Sequence, residues 1–146
     1  MDRANDETER RREARTMTVR VGVLGAGTVG AALIGRLLAD RDAIRLKSGV
    51  DLEVRRVAVR DLAKTRPFDL KAGRLTDDAL SVVTDPSIDV VVEVIGGLDP
   101  AGDLVLAALR SGKPVVTANK ELIATRGQEI AEAARRAGVA VMYEAA

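Results

Sequence analysis

The feature that most constrains this chain is a glycine loop set between two different periodicities. "TVRVGVL" (Thr18 to Leu24) is a valine-rich run of strand length, and Leu33, Ile34, Leu37 and Leu38 then recur at helical spacing, with Arg36, Asp40 and Arg41 on the other side. Between the two stands Gly25-Ala26-Gly27-Thr28-Val29-Gly30. In a strand that passes straight into a helix, each glycine at this spacing has its own task. Gly25 permits the tight turn, Gly27 lets the backbone approach a pyrophosphate, and Gly30 lets the helix pack closely on the strand. The N–H groups at the start of such a helix, together with its dipole, favour phosphate charge. The same loop can also be a plain turn that binds nothing, so the rest of the chain has to decide.

The rest of the chain alternates strand and helix patterns. "LEVRRVAV" (Leu52 to Val59) reads as a second strand after a polar connection, and residues 62–76 as mostly loop with room for a short helix. "LSVV" at 80–83 reads as a minor strand, and "IDVVVEVIGG" (Ile88 to Gly97) as a strand covered on both faces, because its apolar run is nearly continuous. Asp99 is expected to cap the next helix, with Pro100 at its first position. That helix turns Leu104, Val105, Ala108 and Leu109 inward and stops at Ser111-Gly112. "PVVTA" is a strand, "GQEIAEAARRAG" a helix closed by Gly138, and "VAVMYEA" a last strand. The expected fold class is α/β, a doubly wound parallel sheet of the Rossmann type in a single domain. With 146 residues there is room for one core. The domain is expected over 18–146, behind a charged leader over 1–17. The leader's first 16 residues hold five Arg and five acidic residues, which read either as a mobile, disordered segment or as an exposed helix laced with ion pairs.

Composition narrows the chemistry. One Phe, one Tyr and no Trp leave no platform on which bases could stack, and a net charge of +1 gives no surplus for nucleic acid or an anionic membrane. No apolar run is long enough for a membrane span or a secretory signal, so the expected location is the cytoplasm. The chain has neither Cys nor His, which removes thiolate nucleophiles, imidazole bases and the usual zinc ligands together. Chemistry here must use Lys, carboxylates, hydroxyls, backbone or a cofactor.

Selection between NAD and NADP falls at the end of the second strand, where an acidic residue would bond the ribose 2′-hydroxyl and an Arg would suit a 2′-phosphate. Arg60 comes first there, then Asp61, with Lys64 and Arg66 close behind. This order predicts NADP(H) as the preferred cofactor and leaves NAD(H) open. Lys64 and Arg66 also read as solvated loop charges.

Three further stretches fall beyond strand ends, where open parallel sheets bind their ligands: "VIGGLDP" (Val94 to Pro100), "VVTANKELIA" (Val115 to Ala124) and "MYEAA" (Met142 to Ala146). Together with the glycine loop, these resemble the N-terminal nucleotide-binding part of homoserine dehydrogenase, over nearly the whole stretch from Val19 onward. "GKPVVTANKELIA" followed by "YEAA" is the more specific part. The resemblance implies NAD(P)H-dependent interconversion of L-aspartate 4-semialdehyde and L-homoserine, in the biosynthesis of threonine, isoleucine and methionine. It implies cofactor contacts from Gly25, Ala26, Gly27, Thr28, Val29 and Gly30, from Arg60 at the adenosine end, and from Ile95, Gly96 and Gly97. Lys120 would reach the nicotinamide and substrate crevice as a catalytic group, since an ammonium stabilises or protonates the alkoxide that hydride delivery creates. Glu144 would help to hold a monovalent cation such as sodium, with its remaining ligands beyond Ala146. The resemblance also implies a substrate domain and a homodimer in the full-length family member, so that this chain is expected to supply the nucleotide-binding half and to be inactive alone.

Other readings compete. A dehydrogenase acting through a thioester needs a Cys that this chain does not contain. A sugar-type oxidoreductase would show Glu-Lys-Pro where this chain has Ala118-Asn119-Lys120-Glu121. A non-catalytic nucleotide-binding module, or an inert remnant, also fits the first glycine loop. Glu93, inside an apolar run, carries no assigned role.

Overall fold

A computed structural model describes residues 3–143. In chain order the elements are α1 (Arg3–Arg15), β1 (Met17–Leu24), α2 (Thr28–Ala39), α3 (Arg41–Ser48), β2 (Val50–Ala58), β3 (Leu75–Thr76), α4 (Ala79–Val83), β4 (Val90–Glu93), α5 (Ala101–Arg110), β5 (Val115–Thr117), α6 (Lys120–Ala137) and β6 (Val141–Tyr143). All strand pairs are parallel, in the order β3-β2-β1-β4-β5-β6. This order makes β1 and β4 neighbours from which the chain departs in opposite directions. The crevice beyond their C-terminal ends is where a doubly wound sheet binds its ligand.

Helices cover both faces. Ile34 and Leu37 of α2 pack with Val21, Val23, Val54 and Val57 on one side, and Ile44 of α3 joins them. Leu104, Val105, Ala108 and Leu109 of α5 pack with Leu122, Ile130 and Ala134 of α6, and with Leu24, Val91 and Val115 of the sheet, on the other. Leu109, Leu122 and Ile130 have no exposed surface, and burying a side chain of that size contributes about 1.5–3 kcal/mol. The four residues expected to face inward from α5 are thus buried, and Ala101, Gly102 and Leu106 are buried with them.

Within the leader, residues 3–15 form α1, exposed over residues 3–11 and carrying the i,i+4 pairs Arg10–Asp6 and Arg11–Glu7, which is the second of the two readings of this stretch. Several other expectations are corrected. Met17, placed in the leader from the sequence, already pairs with Val50 in the sheet. The polar connection after α2 contains α3, which ends at Gly49 in the left-handed conformation. The "LSVV" segment is helix rather than strand: Asp78 caps α4 by accepting the N–H of Ser81, and Val82 and Val83 are both buried by it. Residues 62–76 carry no helix, and their end forms the two-residue strand β3 against Val57 and Ala58. Pro100 occupies the cap position of α5 after a cis peptide bond, and Asp99 does not cap it. Finally, α6 starts at Lys120, well before the expected stretch, and bends at Arg126.

Candidate functional site: a nucleotide cleft at the ends of β1 and β4

The turn after β1 is built as its glycines require. Gly25 takes φ +98, which a side chain would resist, and its N–H is tied to Ala58 O at 2.9 Å. A Cβ on Gly30 would stand 2.6 Å from Gly25 O, so α2 can lie this close to the strand end only with glycine there. Gly27 differs from both: a Cβ there would meet nothing within 4 Å, because the position faces open space.

That open space lies before an uncapped helix. Gly27 is the cap residue of α2 and no side chain caps the helix, as is also true of α3 and α5, whereas Asp78 caps α4 and Asn119 caps α6. The first helical bond runs from Ala31 N–H to Gly27 O at 2.8 Å. The N–H groups of Thr28, Val29 and Gly30 therefore have no acceptor within the helix. A bare backbone turn, an open face at Gly27 and an uncapped helix start together fit a diphosphate.

Two adjoining clefts share this turn. One, of about 520 Å³, is lined by Gly25, Ala26, Gly27, Val94, Ile95 and Gly96, and at its far end by Arg60, Asp61, Lys64 and Arg66. The other, of about 320 Å³, is lined by Gly27, Thr28, Val29, Val94, Ile95, Gly96, Ala118 and Asn119. Gly27, Val94, Ile95 and Gly96 face both, which makes one crevice running from the end of β2 past β1 and β4 to the end of β5.

Most of the residues singled out from the sequence come together here. Val29 is 60% exposed in spite of its apolar side chain. Gly30 lies beneath the helix, outside the lining of either cleft. Lys120 is exposed and opens α6 directly after Asn119. Lys64 and Arg66, also readable as loose loop charges, form part of the wall, and Arg66 braces the loop by donating to Lys64 O at 2.9 Å and to Asp61 O at 2.6 Å. Asp61 Oδ1 accepts the N–H of Ala63 at 2.9 Å, so one of its oxygens is engaged within the loop. Glu144 lies outside the described residues, and among those described no cluster of carboxylates could hold a metal ion.

Three residues without a role in the sequence reading shape the far wall. Glu93 is fully buried at the end of β4, and its carboxylate accepts the N–H groups of Ile95 and Gly96 and the Thr117 hydroxyl. Asn119 donates from Nδ2 to Gly97 O at 2.6 Å while its Oδ1 accepts Leu122 N–H. The available signal was a lone carboxylate inside an apolar strand just before two glycines. The start of α6 is further clipped to α5 by Arg126, which bonds Glu129 and Asp103. Those bonds, Glu129's first, hold its guanidinium still more firmly protonated than usual.

Comparison with known proteins follows the same outline. The family model described as "Homoserine dehydrogenase, NAD binding domain" matches residues 25–144. Homoserine dehydrogenase from Synechocystis sp. is 46% identical over 130 residues, which is 89% of this chain and 30% of that protein. The crystal structure of S. aureus homoserine dehydrogenase aligns with TM-score 0.81 at 33% identity, covering 88% of this chain and 32% of that one. The Thiobacillus denitrificans enzyme aligns with TM-score 0.78 at 46% identity, over 87% of this chain and 29% of that one. The chain thus spans about 30% of the length of the curated relatives it matches. No helix among the described residues is long and apolar enough to cross a membrane. With the glycine loop, the 94–97 turn and Lys120 all inside the matched region, the chain belongs to the homoserine dehydrogenase family, as its NAD-binding domain.

Proposed function

We propose that this chain supplies the nucleotide-binding half of a cytoplasmic, homodimeric enzyme that interconverts L-aspartate 4-semialdehyde and L-homoserine, with NADP(H) favoured over NAD(H). The observation that carries the nucleotide part is the uncapped start of α2 behind the open face of Gly27. The substrate part rests on the family and on the place of Lys120 at the end of β5.

Bound in the crevice, the nicotinamide group supplies or accepts a hydride. The chain's own residues do the rest. The backbone of Gly25 to Gly27 and the first N–H groups of α2 hold the diphosphate. Arg60 and Lys64 stand at the adenosine end as cations for a 2′-phosphate, and Asp61, half engaged by Ala63 N–H, is the poorer partner there for a 2′-hydroxyl. Ile95 and Gly96 form the wall across from α2, while Gly97, also expected at the cofactor, lies outside the lining of either cleft. Lys120, the first residue of α6 directly after the crevice-lining Ala118 and Asn119, is carried from the family resemblance as the group whose ammonium steadies or protonates the alkoxide oxygen formed on the aldehyde carbon. Glu144 is carried as one ligand of a monovalent cation by family resemblance alone.

The test is a chimera. Residues 17–146 replace the corresponding part of the Synechocystis homoserine dehydrogenase, and oxidation of L-homoserine is followed at 340 nm with NADP+ and NAD+. Turnover that is faster with NADP+ and falls at least about a hundredfold in the Lys120→Ala chimera is expected. A chimera that folds and binds NADPH without turning over L-homoserine would overturn the substrate assignment.

A further inference from the structure

Glu93 has no exposed surface, in a strand otherwise made of valine. A carboxylate in such a place needs donors on every side, because an unpaired buried charge is very costly. It has three: Oε1 accepts the N–H of Ile95 at 2.8 Å and that of Gly96 at 3.1 Å, and Oε2 accepts the Thr117 hydroxyl at 2.5 Å. Two successive backbone N–H groups aimed at one oxygen, followed by left-handed Gly96 and Gly97 (φ +82 and +70), have the form of an anion-binding nest. The nest already holds an anion, and that anion belongs to the chain.

The other side of the turn is tied down as well. Gly97 O accepts Asn119 Nδ2, and Asn119 N–H in turn donates to Thr117 Oγ1 at 3.1 Å. Ile95 and Gly96, held from behind in this way, face both clefts, as does Val94 before them.

We propose that Glu93 is a positioning residue for the cofactor: its carboxylate fills the 95–96 nest from inside the protein, so that the turn cannot compete for the diphosphate and stands as a fixed wall opposite α2. The proposal rests on the reading of this crevice as a dinucleotide site. It predicts an effect on the nicotinamide side of the ligand that spares the adenosine side, because Arg60 and Lys64 lie on the loop after β2, with no bond to the latch.

The experiment titrates the chain and its Glu93→Gln variant with NADPH and, separately, with adenosine 2′,5′-bisphosphate, which carries the adenosine with its 2′-phosphate and the first phosphate of the diphosphate but nothing of the nicotinamide side. NADPH affinity is expected to fall at least about tenfold and bisphosphate affinity by less than about twofold, in line with the loss of hydrogen bonds to a charged group. A general structural role would weaken both ligands alike, and that result, or an unchanged NADPH affinity, would overturn the proposal. Should the Glu93→Gln protein fail to fold, Thr117→Val removes the third donor, together with the acceptor of Asn119 N–H, and is expected to shift the two ligands in the same unequal way; equal effects again count against it. If the unaltered chain binds neither ligand, the dinucleotide reading itself falls and takes this proposal with it. If it binds both and the variants bind both as tightly, only the role of Glu93 is refuted.

Discussion

A methyl group placed on Gly30 would stand 2.6 Å from the carbonyl oxygen of Gly25, a backbone atom that no rotamer change can move aside. The first and last glycines of the loop are therefore one packing unit: the turn at Gly25 brings its carbonyl under the helix, and Gly30 leaves the gap that receives it. A Cβ on Gly27, between them, would meet neither.

The first prediction separates these tasks. Gly30→Ala is expected to destabilise the chain by about 1–3 kcal/mol, the range for forcing an atom into a filled site, and this outweighs the roughly 1 kcal/mol that alanine gains in a helix. Urea unfolding measures it, and a stability equal to that of the unaltered chain would contradict the packing account.

Arg60→Ala is expected to weaken NADPH binding at least about tenfold and NADH binding by less than about threefold, since only NADPH carries the 2′-phosphate. Isothermal titration with each nucleotide gives both numbers. Equal losses would mean that Arg60 does not read the phosphate.

Asn119→Ala removes the cap of α6 and leaves Gly97 O without its donor. The cap alone is worth about 0.5–2 kcal/mol, and urea unfolding is expected to show at least that loss. Asn119→Asp keeps the cap but not the donor, so it should recover stability while NADPH affinity stays reduced; recovery of both would deny the Gly97 contact any part in binding.

Stability against pH follows from the carboxylates. Asp51 is held below the usual carboxylate range by its hydrogen bonds from Arg41, and Asp89 by the backbone N–H of Arg20, with the Arg20 guanidinium adding to it. A carboxylate with a depressed pKa in the folded state contributes stability above its unfolded pKa, and this is lost as pH falls through the folded value. The chain has no His to titrate at intermediate pH. The urea midpoint is therefore expected to stay level between about pH 5 and 8 and to drop below about pH 4. In Asp51→Asn with Asp89→Asn the drop should be shallower, and an unchanged acid limb would refute the assignment.

Much of this was legible before any coordinates, and the parts that were not share a cause. The inward set of α5 could be read because Leu104, Val105, Ala108 and Leu109 repeat at helical spacing and all pack on the sheet. α3 left no such trace: it buries no residue fully and exposes Leu46 at 80%, so its sequence resembles a polar connection. In "LSVV" the β-branched pair suggested a strand, and the deciding residue was Asp78, outside the run, whose cap bond to Ser81 starts a helix. The glycine loop was legible because its contacts are local. The latch at Glu93 was not, because its meaning depends on Thr117 and Asn119, which lie far along the chain and reach it only through the pairing of β4 with β5. A periodicity reports what one element buries, and says nothing of which element will stand beside it.

The central claim is that the turn between β1 and α2 receives a diphosphate on bare backbone. It is tested most directly by titrating NADPH into the chain and into Gly27→Val, with folding of both checked by circular dichroism. Because a side chain at Gly27 meets open space within the protein, the variant is expected to fold normally and to bind NADPH at least about tenfold more weakly, its side chain now standing where the diphosphate must lie. Saturable binding of equal affinity in the two proteins would contradict the claim.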